Sequence, residues 1–355
     1  MATALLLSAC GTRNIGDTVT IGVAAPFGTG YGTQVKRAVE LAIDELNKGG
    51  GIAGKRVELL FKDDSASGSL GIAVAQAFVA NPALVAVIGH ANSVVSVATA
   101  RVYDGRLVAM SPSSSSPDLT GISPWVFRTI NSDSLNGVEL ARVAMARGHK
   151  RAALLYENDA FGRGLVAVFT RAFKGSAVAI DPISPATRDF EPLVTYYRTK
   201  AKPDIVFAVG TEGSGIAFVK EARRQNLSAE LIGADGWSGI VAAGSAVDGA
   251  LVGAPFSADS PRDQAKAFVA AFQARYKMPP DGFAACAYDA VLLLAQAVRE
   301  GGNDRKAVRD WLGGMRTPID GATGRFLLGA NGDPQGKGLV MLRVRNGVLV
   351  GETGS

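Results

Sequence analysis

The apolar positions of this chain fall into short dense runs that alternate with stretches of helical spacing. "TVTIGVAAP" (18–26) is almost unbroken in apolar and β-branched residues, which predicts a buried strand, and "QVKRAVELAIDELN" (34–47) spaces its apolar residues at threes and fours, which predicts a helix. The cadence continues through a strand at 56–64, a helix around 72–79, and strands at 84–90, 106–110 and 125–130. It then restarts. A helical pattern at 135–146 precedes strands at 151–159, 178–184, 204–210 and 229–235, each separated by a helical stretch. After "LVGAPFS" (251–257) come helices around 264–276, 283–298 and 305–315, then two strands, 339–344 and 348–350, about "RNG". Strand and helix in turn, with connections of about a dozen residues or more, imply parallel sheets covered by helices. The expected fold class is α/β, with two doubly wound lobes and a cleft between them, a favoured place for a small-molecule site.

Composition narrows the picture. A chain of 355 residues, 47% hydrophobic and 19% charged, has the balance of a globular protein with room for two cores. The net charge of +5 comes from 37 basic and 32 acidic residues that are interspersed, so no basic stripe for nucleic acid is formed. One of the two cysteines ends "LLLSAC" (5–10), where Leu7-Ser8-Ala9-Cys10 resembles a bacterial lipobox followed by a polar tether, "GTRNIGD" (11–17). A basic n-region and a long apolar core are missing from this stretch, so the expectation is that the signal lies upstream of the sequence given. No other stretch approaches the roughly 20 uninterrupted apolar residues of a membrane span, so anchoring is expected through lipid on Cys10 alone. Cys286 is then unpaired and reads as a buried structural thiol.

In open parallel sheets ligands bind beyond the carboxyl ends of the strands. Those ends carry "PFGTGYG", "DDSASGS", "GHANSVVS", "SPSSSSP", "ENDAFGRG", "GTEGSG" and "GADGWSG", which are small, hydroxylated and aromatic. The serine run is the most pointed of them: hydroxyls and backbone N–H groups with little bulk can converge on one anion. Enzyme motifs fail on inspection. Gly49, Gly54 and Lys55 have P-loop spacing, but Arg56 stands where a magnesium-binding hydroxyl is needed, and the stretch precedes a strand. "GTGYGT" has its third glycine one place early for a dinucleotide fingerprint. "GWSGI" is not a nucleophile elbow, and His90 and His149 lie at no metal-ligand spacing. His90 reads as a positioned polar residue. No metal, cofactor or catalytic group is expected, and a hydrolase is the disfavoured alternative.

The pieces "GVAAPFGTGYGTQVKRAVELAIDELNKGGGIAGKRVELLFKDD", "VAVIGHANS", "SPSSSSPDLT", "FRTINSD", "AFGRG" and "GADGW" occur in the same order as their counterparts in type I periplasmic binding proteins of the leucine/isoleucine/valine-binding class. The chain resembles these solute receptors of bacterial ABC importers over residues 18–350. The resemblance implies lobes discontinuous in sequence, joined by three crossovers near Ile130, Val252 and Lys337: residues 18–130 with 254–337 in lobe 1, and 131–253 with 338–355 in lobe 2, after a tether at 1–17. It implies an extracytoplasmic, lipid-anchored receptor that closes hinge-wise on a small amino acid or related zwitterion and presents the closed form to a membrane permease. By position in the family's motifs, Ser93 and Ser115 would hold the ligand carboxylate. Ser113 would offer its carbonyl, and Asp235 its carboxylate, to the ammonium. Tyr31 matches a lid aromatic, Phe161 stands where a tyrosine is common, and Thr211 or Glu212 matches another aromatic position. The last substitution departs from the family's pattern and points toward a polar or basic side chain on the ligand. The cysteine pair of some relatives is absent too, with Ser65–Ser67 and Asn92 in the corresponding places. A ligand-sensing ectodomain, or an amide or small organic acid in the same cleft, remain the alternatives.

Overall fold

The computed structural model describes residues 18–352. The first sheet is five-stranded and wholly parallel: β1 (Thr18–Ala25), β2 (Arg56–Asp63), β3 (Leu84–Ile88), β4 (Val108–Ser111) and β5 (Val126–Arg128) lie in the order β2-β1-β3-β4-β5. Its intervening helices are α1 (Gly30–Lys48), α2 (Gly68–Ala80) and α3 (Ser93–Tyr103). Each begins where a side chain takes an orphan N–H. Thr29 accepts from Gly32 N, Ser67 from Leu70 N and Asn92 from Val94 N.

The second sheet begins after α4 (Asp133–Ala146). Strands β6 (Arg151–Glu157), β7 (Ser176–Ile183), β8 (Ile205–Val209), β9 (Glu230–Gly233) and β10 (Leu251–Ala254) run parallel, with α5 (Ala160–Ala172), α6 (Glu191–Tyr196) and α7 (Glu212–Arg224) between them. The chain then returns to the first sheet as α8 (Asp263–Tyr276), α9 (Gly282–Gly301) and α10 (Arg305–Gly313). It makes a small antiparallel sheet of β11 (Ile319–Gly321), β12 (Gly324–Leu328) and β13 (Pro334–Gln335). It ends as the hairpin β14 (Val340–Arg345) and β15 (Val348–Gly351), which pairs antiparallel to β10 and completes the order β15-β14-β10-β9-β8-β6-β7.

Packing divides the molecule the same way. One core joins residues of β1 to β5 and α1 with Phe268, Phe272, Leu294 and their neighbours on α8 to α10. Two others lie on either face of the second sheet and take in Leu342 and Met341 of β14. These two bodies are called lobe 1 and lobe 2 below. α9 has the length and apolarity of a membrane span, with a mean hydropathy of 1.3, yet 78% of it is buried within lobe 1. Cys286 sits on this helix, buried and unpaired among the described residues, and burial pushes its thiol up to about 12. Cys10 lies outside the described residues.

Two features lie outside the periodicity reading. Between β9 and β10 the chain makes only 3₁₀ turns, Asp235–Trp237 and Ile240–Val247, broken at Gly244 by a φ of 58° that side-chain-bearing residues avoid. The small sheet β11-β12-β13 was not anticipated. It is held to α9 by Asp289, whose buried carboxylate takes Ala322 N (2.6 Å), Thr323 N (3.1 Å) and the Thr323 hydroxyl. Lys337 Nζ stands 3.5 Å from the same carboxylate and donates to the Thr129 carbonyl at 2.6 Å.

Removing Asp289 therefore strands a buried ammonium and three donors together. Asp289→Ala is expected to cost about 3 kcal/mol or more in urea denaturation. Removing the exposed Lys306–Asp310 pair by Lys306→Ala should stay within about 0.5 kcal/mol.

Candidate ligand-binding site

The carboxyl ends of both sheets face one cavity between the lobes. It is lined from lobe 1 by Tyr31, Ala91, Asn92, Ser93, Ser113 and Phe283, and from lobe 2 by Asp159, Phe161, Thr211, Asp235 and Gly236. Its empty volume is about 430 Å³ with the mouth included. The lobes touch across it: Ser116 Oγ donates to the Ala160 carbonyl at 3.1 Å.

The lobe 1 wall follows from two chain exits. Beyond β3, Asn92 caps α3, so the first turn of that helix, with its unpaired N–H groups and positive dipole end, borders the cavity at Ser93. Ser93 Oγ accepts the N–H of Ser116 at 3.3 Å, which leaves its own hydrogen without an acceptor among the described residues. Beyond β4 comes the serine run, and residues 111–116 are all buried. A buried loop must satisfy every polar group internally. Ser111 and Ser114 donate to the His90 carbonyl at 2.6 and 3.2 Å, and Ser113 to the Ala91 carbonyl at 2.7 Å. Two of the loop's own carbonyls are taken by Arg128, a side chain 1% exposed: Nη1 donates to Ser114 O (3.2 Å) and Ser116 O (2.9 Å), while the N–H groups of Thr129 and Asp133 serve Ser111 O and Ser115 O. Its remaining nitrogens are held by Asp333 at 2.7 Å and Thr120 at 2.6 Å.

His90 lies beneath this wall. Its ring nitrogens contact Asp64 Oδ2 (2.7 Å) and Tyr103 Oη (3.0 Å), and all three residues are buried. No group of His, Cys, Asp or Glu among the described residues is arranged to hold a metal.

The lobe 2 wall has the opposite character. Asp235 starts the turn after β9 and is 2% exposed; Oδ1 accepts from Gly236 N at 3.0 Å, and Oδ2 is buried with no hydrogen-bond partner. Burial holds this carboxyl above the ordinary range. Thr211 donates through its hydroxyl (2.8 Å) and N–H (3.0 Å) to Glu157, which also takes the Ser214 hydroxyl. Phe161 comes from the first turn of α5, capped by Asp159 through Gly162 N at 2.8 Å. Across the cavity Tyr31 and Phe283 meet edge to face at 6.0 Å. Burial pushes the Tyr31 hydroxyl up to about 12.

Six of the eight residues singled out from the sequence line the cavity: Tyr31, Ser93, Ser113, Phe161, Thr211 and Asp235. Ser115 lies behind the wall and donates to Asp133 at 3.0 Å. Glu212 reaches from the start of α7 across to lobe 1, where its carboxylate stands against Gly30 at the start of α1. A Cβ at Gly30 or at Gly239 would meet that carboxylate, so a side chain at either position would push Glu212 aside. Ala91, Asn92, Asp159 and Phe283 were not singled out. Asn92 and Asp159 carry the N-cap signature at a strand-to-helix junction, a usable signal. Phe283 stands far along the chain in a helix whose pattern reads only as core.

A family model described as periplasmic binding protein matches residues 18–347. The Leu/Ile/Val-binding protein BraC3 of Rhizobium johnstonii is 29% identical over 348 residues, covering 94% of this chain and 93% of that protein. Among solved structures, an ABC transporter substrate-binding protein from Desulfitobacterium hafniense in complex with Leu is 32% identical, with a TM-score of 0.83 over 94% of this chain and all of the other (100%). LivJ from Streptococcus pneumoniae, a branched-chain amino acid transporter substrate-binding protein in complex with isoleucine, is 26% identical, with a TM-score of 0.86 over 94% and 97% of the two chains.

Two outcomes are expected from this geometry. Arg128→Met should leave the Ser114 carbonyl and Asp333 Oδ1 without their donor and cost about 3 kcal/mol in chemical denaturation. Asp281, which caps α9 through Ala284 N at 2.8 Å, is pushed up to about 7 by burial. The native state thus binds more protons than the unfolded chain between about pH 4 and 7, so this group's contribution to stability falls as pH rises through that window. Asp281→Asn, which keeps the cap, should flatten that fall in stability measured from pH 4 to 8.

Proposed function

The chain belongs to the periplasmic binding protein family, and on that footing we propose that it is the solute receptor of an ABC importer, working outside the cytoplasm and closing around a small amino acid. The observation that carries the ligand class is the opposed chemistry of the two walls. A helix N-terminus and serine hydroxyls stand on one side, and a buried carboxylate oxygen without a partner on the other. A zwitterion matches both ends, whereas either charge buried alone would cost several kcal/mol.

In this reading the ligand carboxylate lies at Ser93 and the first turn of α3, with the loop of Ser113 and Ser115 behind it. Its ammonium meets Asp235 Oδ2 and the Ser113 carbonyl. The side chain lies among Tyr31, Phe161 and Phe283, with Thr211 at the lobe 2 end. The relatives named for leucine, isoleucine and valine support the class. The hydroxyl of Thr211 is spent on Glu157, so this end offers a methyl-bearing surface of modest size. The lobes hinge at the three passages near residues 130, 252 and 337, and the approach of the Glu212 carboxylate to the α1 N-terminus favours the closed form. A lipid on Cys10 holds the receptor at the membrane, where the closed form engages the permease.

Differential scanning calorimetry against the protein amino acids tests the reading. A cognate ligand at about 100 times its Kd should add roughly 2.7 kcal/mol of stability, and no response to any of them defeats it. Asp235→Ala should abolish the response to amino acids. Glu212→Ala should weaken binding about threefold to tenfold, mainly through faster dissociation, because the contact it removes forms only when the lobes meet.

A further inference from the structure

Three side chains meet at the floor of the cleft where the lobes join: Ser115 from the serine loop, Asp133 from the first turn of α4, and Asp235 from the turn after β9. Ser115 Oγ gives its one hydrogen to Asp133 Oδ2 at 3.0 Å, and Asn136 Nδ2 reaches Asp133 Oδ1 at 3.4 Å. The same serine hydroxyl borders the Asp235 carboxyl but has no second hydrogen to offer it. Asp235 Oδ1 is served by Gly236 N, and Oδ2 is enclosed with nothing to accept. Two fully buried carboxyl groups thus share one hydroxyl hydrogen, and the set is one hydrogen short.

The charged surroundings do not supply it. Arg128 from β5 acts on Asp133 from a distance, and its nitrogens are committed to Asp333, Thr120 and the loop carbonyls. From α9, the Asp281 carboxyl, itself kept protonated toward neutral pH by burial, and the Cys286 thiol, which holds its proton, supply no positive charge. Lys337 is engaged by Asp289 and Thr129 O. Burial and the negative charge of Asp235 hold Asp133 well above the carboxylate range, and burial pushes Asp235 up to about 7. A shared proton resolves the shortage, because a protonated carboxyl brings its own hydrogen and gives it to a lone pair of Ser115 Oγ.

We infer that the Asp133–Asp235 pair holds a proton while the lobes are together over an empty cleft, and that a ligand's ammonium enters by replacing it, so that capture of an amine releases a proton to solvent. The exchange balances: an ammonium N–H takes up the Asp235 Oδ2 lone pair, the carboxyl O–H bond breaks, and the proton leaves to water as the ligand becomes the counter-ion. This inference rests on the amino-acid reading above for the identity of the cation. It adds that affinity for an amine rises with pH across the range in which the pair titrates, the reverse of the trend for a ligand bearing no positive charge.

Isothermal titration of the full chain with L-leucine, run in phosphate and in Tris, reads the protons released from the dependence of the heat on buffer ionisation enthalpy. About half a proton per leucine is expected at pH 7, approaching one near pH 5.5. Binding of leucine with the same heat in both buffers, after correction for ligand dilution, overturns the inference. If leucine gives no binding heat, that failure belongs to the amino-acid reading. The proton is then decided by infrared spectroscopy of the ligand-free protein. A protonated-carboxyl carbonyl band in the difference between wild type and Asp235→Asn near pH 6 supports it, and a difference spectrum without that band overturns it.

Discussion

A loop that leaves a parallel sheet inside a protein, rather than at its surface, must find partners for its carbonyl oxygens, and here Arg128 supplies those that the backbone N–H groups of Thr129 and Asp133 do not reach. Its guanidinium lies under the serine run with two bonds to that loop and the others to Asp333 and Thr120. An arginine suits the task because its donors form a rigid fork. It ties the middle and the end of the serine run to β5, so the run stands as a wall. The hydroxyls complete the arrangement, since those of Ser111, Ser113 and Ser114 are spent on the carbonyls of His90 and Ala91. The wall that faces the ligand is therefore made of Ser93 and backbone groups as much as of the serine run itself.

The polarity of the cleft follows from local structure. A helix begins at Ser93, and with it comes a positive end. A tight turn begins at Asp235, where too few donors are available for a carboxylate. These features belong to different lobes, so a dipolar molecule satisfies both only when the lobes are together, and binding and closure become one event. The aromatic rings of Tyr31, Phe161 and Phe283 exclude water from the space between.

Much of this was legible in the amino-acid order. Long strands with unbroken apolar runs, the α1 stripe and the strand-end loops were clear, because parallel strands are buried on both faces and the turns between them are chemically distinctive. The β11-β12-β13 sheet was not legible. Its strands have two to five residues amid glycines, too short for any period to register. Arg128 lay within a recognised stretch, "FRTINSD", but nothing in the spacing says that it turns back under a loop twelve residues earlier. Glu212 was visible as a departure from the family's pattern, yet its reach to Gly30 depends on how two distant segments meet, which no local rule describes.

Lys337 offers a last consequence. Its ammonium, buried over the Phe326 ring at 3.7 Å, clasps the Thr129 carbonyl. The strand that first leaves sheet one and the segment that finally returns to sheet two are thereby riveted side by side at one point. Two tethers pinned together cannot slide past each other. On the hinge proposed above, bending at that bond is then easier than shear of one tether along the other.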